Sequence, residues 1–155
     1  MVNHNSTAAG IAAVGEEVVD FADNDRLITQ VVWTTTTHDN LVYKQTNRVQ
    51  DHEKTITVSL PTTGKTTATA MTSKLSKEYK PEDGGWVEVN QDIKFFGPQD
   101  KNDSPKYIDI ADNGDGYMHL ALYSVNESSE PTWLTTGDWE VISGTVVVDS
   151  VNRLM

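Results

Sequence analysis

Residues Tyr107 to Val125 spell out a β-hairpin. Tyr107-Ile108-Asp109-Ile110-Ala111 and Tyr117-Met118-His119-Leu120-Ala121-Leu122-Tyr123-Ser124-Val125 flank the turn sequence Asp112-Asn113-Gly114-Asp115-Gly116. Asn-Gly supplies the positive φ angles that a tight hairpin demands, and apolar residues alternate on both flanks. This segment constrains the fold most because nearly everything around it reads the same way.

From Arg26 onward the hydrophobic period is two. Leu27 to Trp33, Leu41 to Thr46, Lys54 to Leu60, Thr66 to Leu75, Trp86 to Asn90 and Ile93 to Phe96 precede the hairpin, and Thr132 to Leu134 and Trp139 to Val151 follow it. Many of these runs are rich in threonine and other β-branched residues, which favour strands. Pro61, Gly84-Gly85, Gly97-Pro98 and Thr136-Gly137-Asp138 separate them. Eight or nine short strands with turns every 8 to 12 residues predict an all-β fold, an antiparallel β-sandwich or barrel of about eight strands. Residues 26–155 read as a single β domain.

Residues 1–25 differ. They are small, then acidic, and two glycines weaken the helix that Val14, Val18, Val19 and Phe21 would otherwise line. They read as an extended or partly helical arm whose apolar residues form an interface with a neighbouring subunit. The opening methionine reads as the start of a complete product. The N-terminus lacks a basic region followed by an apolar run, so no secretory signal is expected, and no stretch approaches the roughly 18 apolar residues of a membrane span.

At 155 residues the chain is long enough to bury about two-thirds of its unfolded surface. It has no cysteine, so neither a disulfide nor a zinc–thiolate site holds the fold, which suits a reducing cytoplasm. Its 23 acidic side chains outnumber 12 basic ones, for a net charge of −11. Nucleic acid and anionic membranes are therefore unfavourable partners, since affinity for both comes largely from Lys and Arg.

Motifs for chemistry are incomplete. Gly64-Lys65-Thr66 ends like a phosphate-binding loop, but the glycine required five residues earlier is Ser59. Asp109, Asp112 and Asp115 place carboxylates around the hairpin turn and are the candidate metal ligands. Calcium is the one cofactor they would suit, and otherwise no cofactor is expected. An EF-hand loop aligned on Gly116 would need ligands at Ala111 and Leu122, which have none. His4, His38, His52 and His119 show no paired spacing, and no Gly-x-Ser-x-Gly elbow presents a nucleophile. No catalytic residue is assigned, and the chain reads as non-enzymatic.

Exposed aromatic residues remain. Trp86 follows two glycines and Trp133 follows Pro131, so both lie where a partner can reach them, and they join the arm as interface candidates. A threonine-rich, acidic, cysteine-free β chain with a small-residue arm resembles structural proteins of virus and phage particles: capsid decoration, minor capsid or tail components. That resemblance implies self-assembly into a homo-oligomer or binding to other particle subunits, in a virion assembled in the host cytoplasm. The alternative is a carbohydrate- or ligand-binding β-sandwich module that uses Trp and Tyr platforms, and a third is a hydrolase whose acids gather only in the fold.

Overall fold

A computed structural model describes Phe21 and residues 25–34, 39–60, 71–82, 84–96, 105–125 and 130–149 of the chain. Eight strands run through them: β1 (Arg26–Trp33), β2 (Asn40–Asn47), β3 (Glu53–Ser59), β4 (Thr72–Tyr79), β5 (Lys94–Phe96), β6 (Lys106–Asp112), β7 (Met118–Ser124) and β8 (Thr132–Trp133). The described residues contain no helix. The strands form two four-stranded sheets, β1-β2-β3-β4 and β5-β6-β7-β8, each antiparallel and each in chain order. The expectation of an all-β fold with about eight strands is met. Residues 1–20, and with them most of the expected arm, lie outside the described residues.

Strand alternation decides which face of the first sheet meets the second. Val42 and Lys44 on β2 point one way, and Leu41 and Tyr43 the other, because successive side chains leave a strand on opposite faces. Val42 joins a buried cluster with Ile93, Tyr107, Ala111, Ala121, Tyr123 and Val125, so this core is built by both sheets. Tyr107 and Tyr123 are directly paired across β6 and β7, and their rings stack 5.1 Å apart. On the opposite face of the first sheet, Ile56 and Val58 pack with Leu41, Tyr43, Leu60, Met71 and Leu75. That face extends onto β1, where Ile28, Val31 and Trp33 remain exposed.

The two sheets meet through their first strands, β1 and β5. Gln30 on β1 donates to the Gln91 carbonyl at 2.8 Å and accepts from the Ile93 amide at 3.2 Å. Gln91 returns a bond of 2.8 Å to the Thr29 carbonyl. The connection into the second sheet is thus tied to the first strand of the first sheet.

Two expected strands are irregular. Trp86 to Asn90 alternates in sequence but crosses between sheets, where no neighbour offers a ladder; the Val87 amide bonds the Gln50 carbonyl at 2.7 Å. Trp139 to Asp149 follows the surface of the second sheet, and its Val141 amide bonds the Met118 carbonyl at 2.8 Å. Ser143-Gly144 interrupts this segment with a turn at φ +81°, which favours glycine. Buried Asp92 anchors the turn, accepting from the Ser143 hydroxyl at 2.5 Å and the Gly144 amide at 2.8 Å.

Candidate functional site

Lys44 and Asp109 occupy inward positions on the central strands β2 and β6, and neither side chain is exposed to solvent. The Lys44 Nζ donates to Asp109 Oδ1 at 2.6 Å and to Asn90 Oδ1 at 2.5 Å. Asp109 Oδ1 also accepts from the Ile110 amide at 2.9 Å, and Asn90 Nδ2 donates to the Ile110 carbonyl at 3.3 Å. A charge taken out of water is costly unless an opposite charge and hydrogen bonds compensate it. Here each partner comes from a different sheet, so the compensation exists only when the sheets are docked.

Beside this pair lies a cavity of about 250 Å³ whose walls include Glu53, Lys77, Trp86, Glu88, Asp112 and Glu140. The Lys77 Nζ sits 3.9 Å from Glu53 Oε1 and 3.7 Å from Asp109 Oδ2, beyond direct hydrogen-bond reach of both. Glu53 Oε2 and Asp109 Oδ2 are buried without a hydrogen-bond partner. Burial holds the Glu53 carboxyl above the ordinary range, against the opposing pull of the Lys44 and Lys77 ammonium groups. Burial likewise raises the Tyr107 and Tyr123 phenols, with the Asp109 charge adding to the effect.

The candidate metal ligands do not converge. Asp109 is committed to Lys44. Asp112 accepts from the Gly114 amide at 2.8 Å and from the Tyr79 hydroxyl at 3.1 Å, and Asp115 is exposed at the turn. Among the described residues, no group of three His, Cys, Asp or Glu side chains is placed to hold a metal ion. The strand register explains this: Asp109 lies three residues inside β6, and Asp115 lies in the loop beyond its end.

The interface candidates also separate. Val14, Val18 and Val19 lie outside the described residues. Phe21 is buried, with its ring edge-to-face on His52 at 5.0 Å and the Lys54 Nζ 5.0 Å above it. Trp133 packs against the shared core from β8. Among the described candidates Trp86 alone stands open, 81 % exposed. The sequence reading missed Lys44, Glu53, Asn90 and Lys77. One signal was available: Asp109 carries a charge between Ile108 and Ile110 in an apolar strand.

His119 is fully buried. Its Nε2 lies 3.0 Å from the Gly137 carbonyl, which can only accept, so Nε2 carries the proton. Thr135 Oγ1 accepts from the Leu120 amide at 3.0 Å and lies within hydrogen-bond distance of His119 Nδ1, at 3.1 Å. Trp139 closes the group edge-on at 5.2 Å. Both ring nitrogens are therefore engaged in structure, and His52 pairs with Glu78 at 2.7 Å. Neither histidine meets a serine hydroxyl.

The comparisons with known proteins bear on the whole segment. Residues 5–155 match the family described as the dipeptidyl peptidase IV (DPP IV) N-terminal region. The chain belongs to that family. A probable dipeptidyl-aminopeptidase B of Colletotrichum graminicola is 38 % identical over 138 residues, covering 87 % of this chain and 14 % of the relative. One from Chaetomium globosum is 37 % identical over 132 residues, covering 83 % of this chain and 13 % of the relative. A probable dipeptidyl peptidase 4 of Trichophyton verrucosum is 35 % identical over 140 residues, covering 89 % and 16 %. The chain thus spans about one-seventh of the length of the curated relatives it matches.

Membership in the dipeptidyl peptidase IV N-terminal region family overturns the expectation of a virus or phage structural protein and of a ligand-binding sandwich module. Particle subunits as partners and a virion location fall with it. So does the expectation of a non-enzymatic protein, since the relatives are named as peptidases. Acidity, threonine content and lack of cysteine report on solubility and sheet propensity, and folds with those properties serve many functions.

Proposed function

We propose that this chain supplies two consecutive blades of the β-propeller of a dipeptidyl peptidase. The N-terminal region of that family is a β-propeller-type domain. Propellers repeat four-stranded antiparallel sheets radially around a channel. One observation carries the reading: two four-stranded meanders follow each other in the chain, lie face to face, and meet through their first strands. Strands that start nearest a common axis and step outward in order are what radial repetition requires.

In this reading the segment is a rigid wall of a peptidase, and peptide hydrolysis is carried out with groups beyond the described residues. The buried Lys44–Asp109 pair and the Gln30–Gln91 exchange set the angle between blades, and so the shape of the chamber they help enclose. A transplant tests this. Residues 26–149 replace the matching segment of the Colletotrichum graminicola relative, and release of dipeptides from dipeptidyl p-nitroanilides is measured beside the melting temperature. A folded chimera that releases dipeptides at a rate within about tenfold of the parent is expected, since the chemistry would be untouched. A chimera that folds without releasing dipeptides, or that does not fold, overturns the reading.

A further inference from the structure

We propose that the cavity beside the sheet junction receives an arginine side chain from a polypeptide partner, with Glu53 as the buried acceptor and Trp86 as the exposed aromatic wall. This goes beyond the propeller reading, since a blade joint needs no ligand.

Four observations converge on a guanidinium. Glu53 is only 4 % exposed, lines the cavity, and leaves Oε2 with no donor. A buried oxygen of this kind is stabilised by an N–H brought to it. The charged walls comprise the carboxylates of Glu53, Glu88, Asp112 and Glu140 against the single ammonium of Lys77, so the space favours a cation. Trp86 borders the same space with its indole largely bare, a surface on which a planar cation stacks. The volume of about 250 Å³ is below that of sites for drug-sized ligands and suits one long side chain.

The same features select among cations. Lys77 already places one compact ammonium 3.7 and 3.9 Å from the two buried carboxylates. A second point charge beside it would be repelled and would have to shed a tight hydration shell. A guanidinium spreads its charge, is weakly hydrated, and offers five N–H donors in a flat fork. A metal ion has too few converging ligands among the described residues. A free amino acid would bring its own carboxylate against Glu88, Asp112 and Glu140, whereas an arginine within a peptide would not.

The test is a calorimetric titration of the full chain with N-acetyl-arginine amide, N-acetyl-lysine amide, N-acetyl-citrulline amide and free L-arginine. The arginine amide is expected to bind at least about tenfold more tightly than the other three, citrulline being its uncharged isostere. Glu53→Gln should weaken that binding by about tenfold or more, and Trp86→Ala by several-fold, with both variants keeping the parent's circular dichroism. Equal binding of citrulline amide, binding indifferent to Glu53→Gln, or no saturable binding of the arginine amide would overturn the proposal. Tighter binding of free arginine than of the amide would overturn the assignment to a polypeptide.

Discussion

Replacing Lys44 by methionine would remove a cation and leave Asp109 charged in the core. Breaking one side of a buried pair costs about 3–5 kcal/mol, whereas replacing both partners with apolar groups is often neutral. Urea denaturation should therefore show Lys44→Met strongly destabilised and the double change with Asp109→Leu largely restored. If the single change is silent, the pair does not hold the sheets. Glu53 gives a second residue-level expectation. Its folded pKa lies above the ordinary 4.5, so the native state holds its proton longer than the unfolded chain does. The resulting stabilisation is full below about 4.5 and is lost as pH rises through the folded pKa. Melting temperatures taken upward from pH 4.5 should show Glu53→Gln gaining steadily on the parent. Parallel curves would mean that Glu53 titrates normally. Neither role was legible in the sequence, because a charge on a strand shows its parity but not the opposite charge that compensates it from another sheet.

At the scale of elements, the β6–β7 hairpin was legible in its strands and in the place of its turn. The turn was expected over Asp112 to Gly116, and the register closes at Asp112–Met118 around five residues. Asp112 caps the Gly114 amide at 2.8 Å and Asn113 caps the Asp115 amide at 2.9 Å, while Gly114 and Gly116 take φ +92° and +83°. Side-chain caps of this kind let Asx residues shape a longer loop. Valine at Gly114 should cost about 1–2 kcal/mol in thermal unfolding, the usual penalty of a left-handed residue with a Cβ. A matched pair separates strain from collision. Gly137 and Gly144 both have positive φ, but a Cβ on Gly137 would lie 2.8 Å from Trp139 Nε1, and one on Gly144 would meet nothing within 4 Å. Alanine should thus destabilise more at 137 and also disturb the fluorescence of Trp139, which sits against His119; equal losses at both sites would argue against the contact. The segments 86–90 and 139–149 show where alternation misleads: Val87 and Asn90 are buried in the first, Trp139, Ile142 and Val147 are exposed in the second, and a strand also needs a neighbour along its edge.

For the molecule as a whole, the shared core makes the two sheets one cooperative unit. Tryptophan fluorescence and far-ultraviolet circular dichroism should report a single coincident urea transition, since Val42 on one sheet and Tyr107 on the other bury the same surface. Two separated transitions would show that the junction is weaker than its chemistry implies. The all-β class and most of the strand positions were readable because β-branched and alternating residues mark the strands, most clearly in β7. The role was not, because a meander repeated beside itself leaves no local mark in the sequence, and composition favoured a wrong analogy. One further trait affects practical handling. Ile28, Val31 and Trp33 line up on one face of β1, 58, 60 and 46 % exposed. An apolar strip of this kind is expected to draw the purified chain onto plastic and air bubbles and to light up apolar dyes. Lysine in place of Val31 leaves the backbone ladder intact and should quench that dye glow, a cheap remedy at the bench.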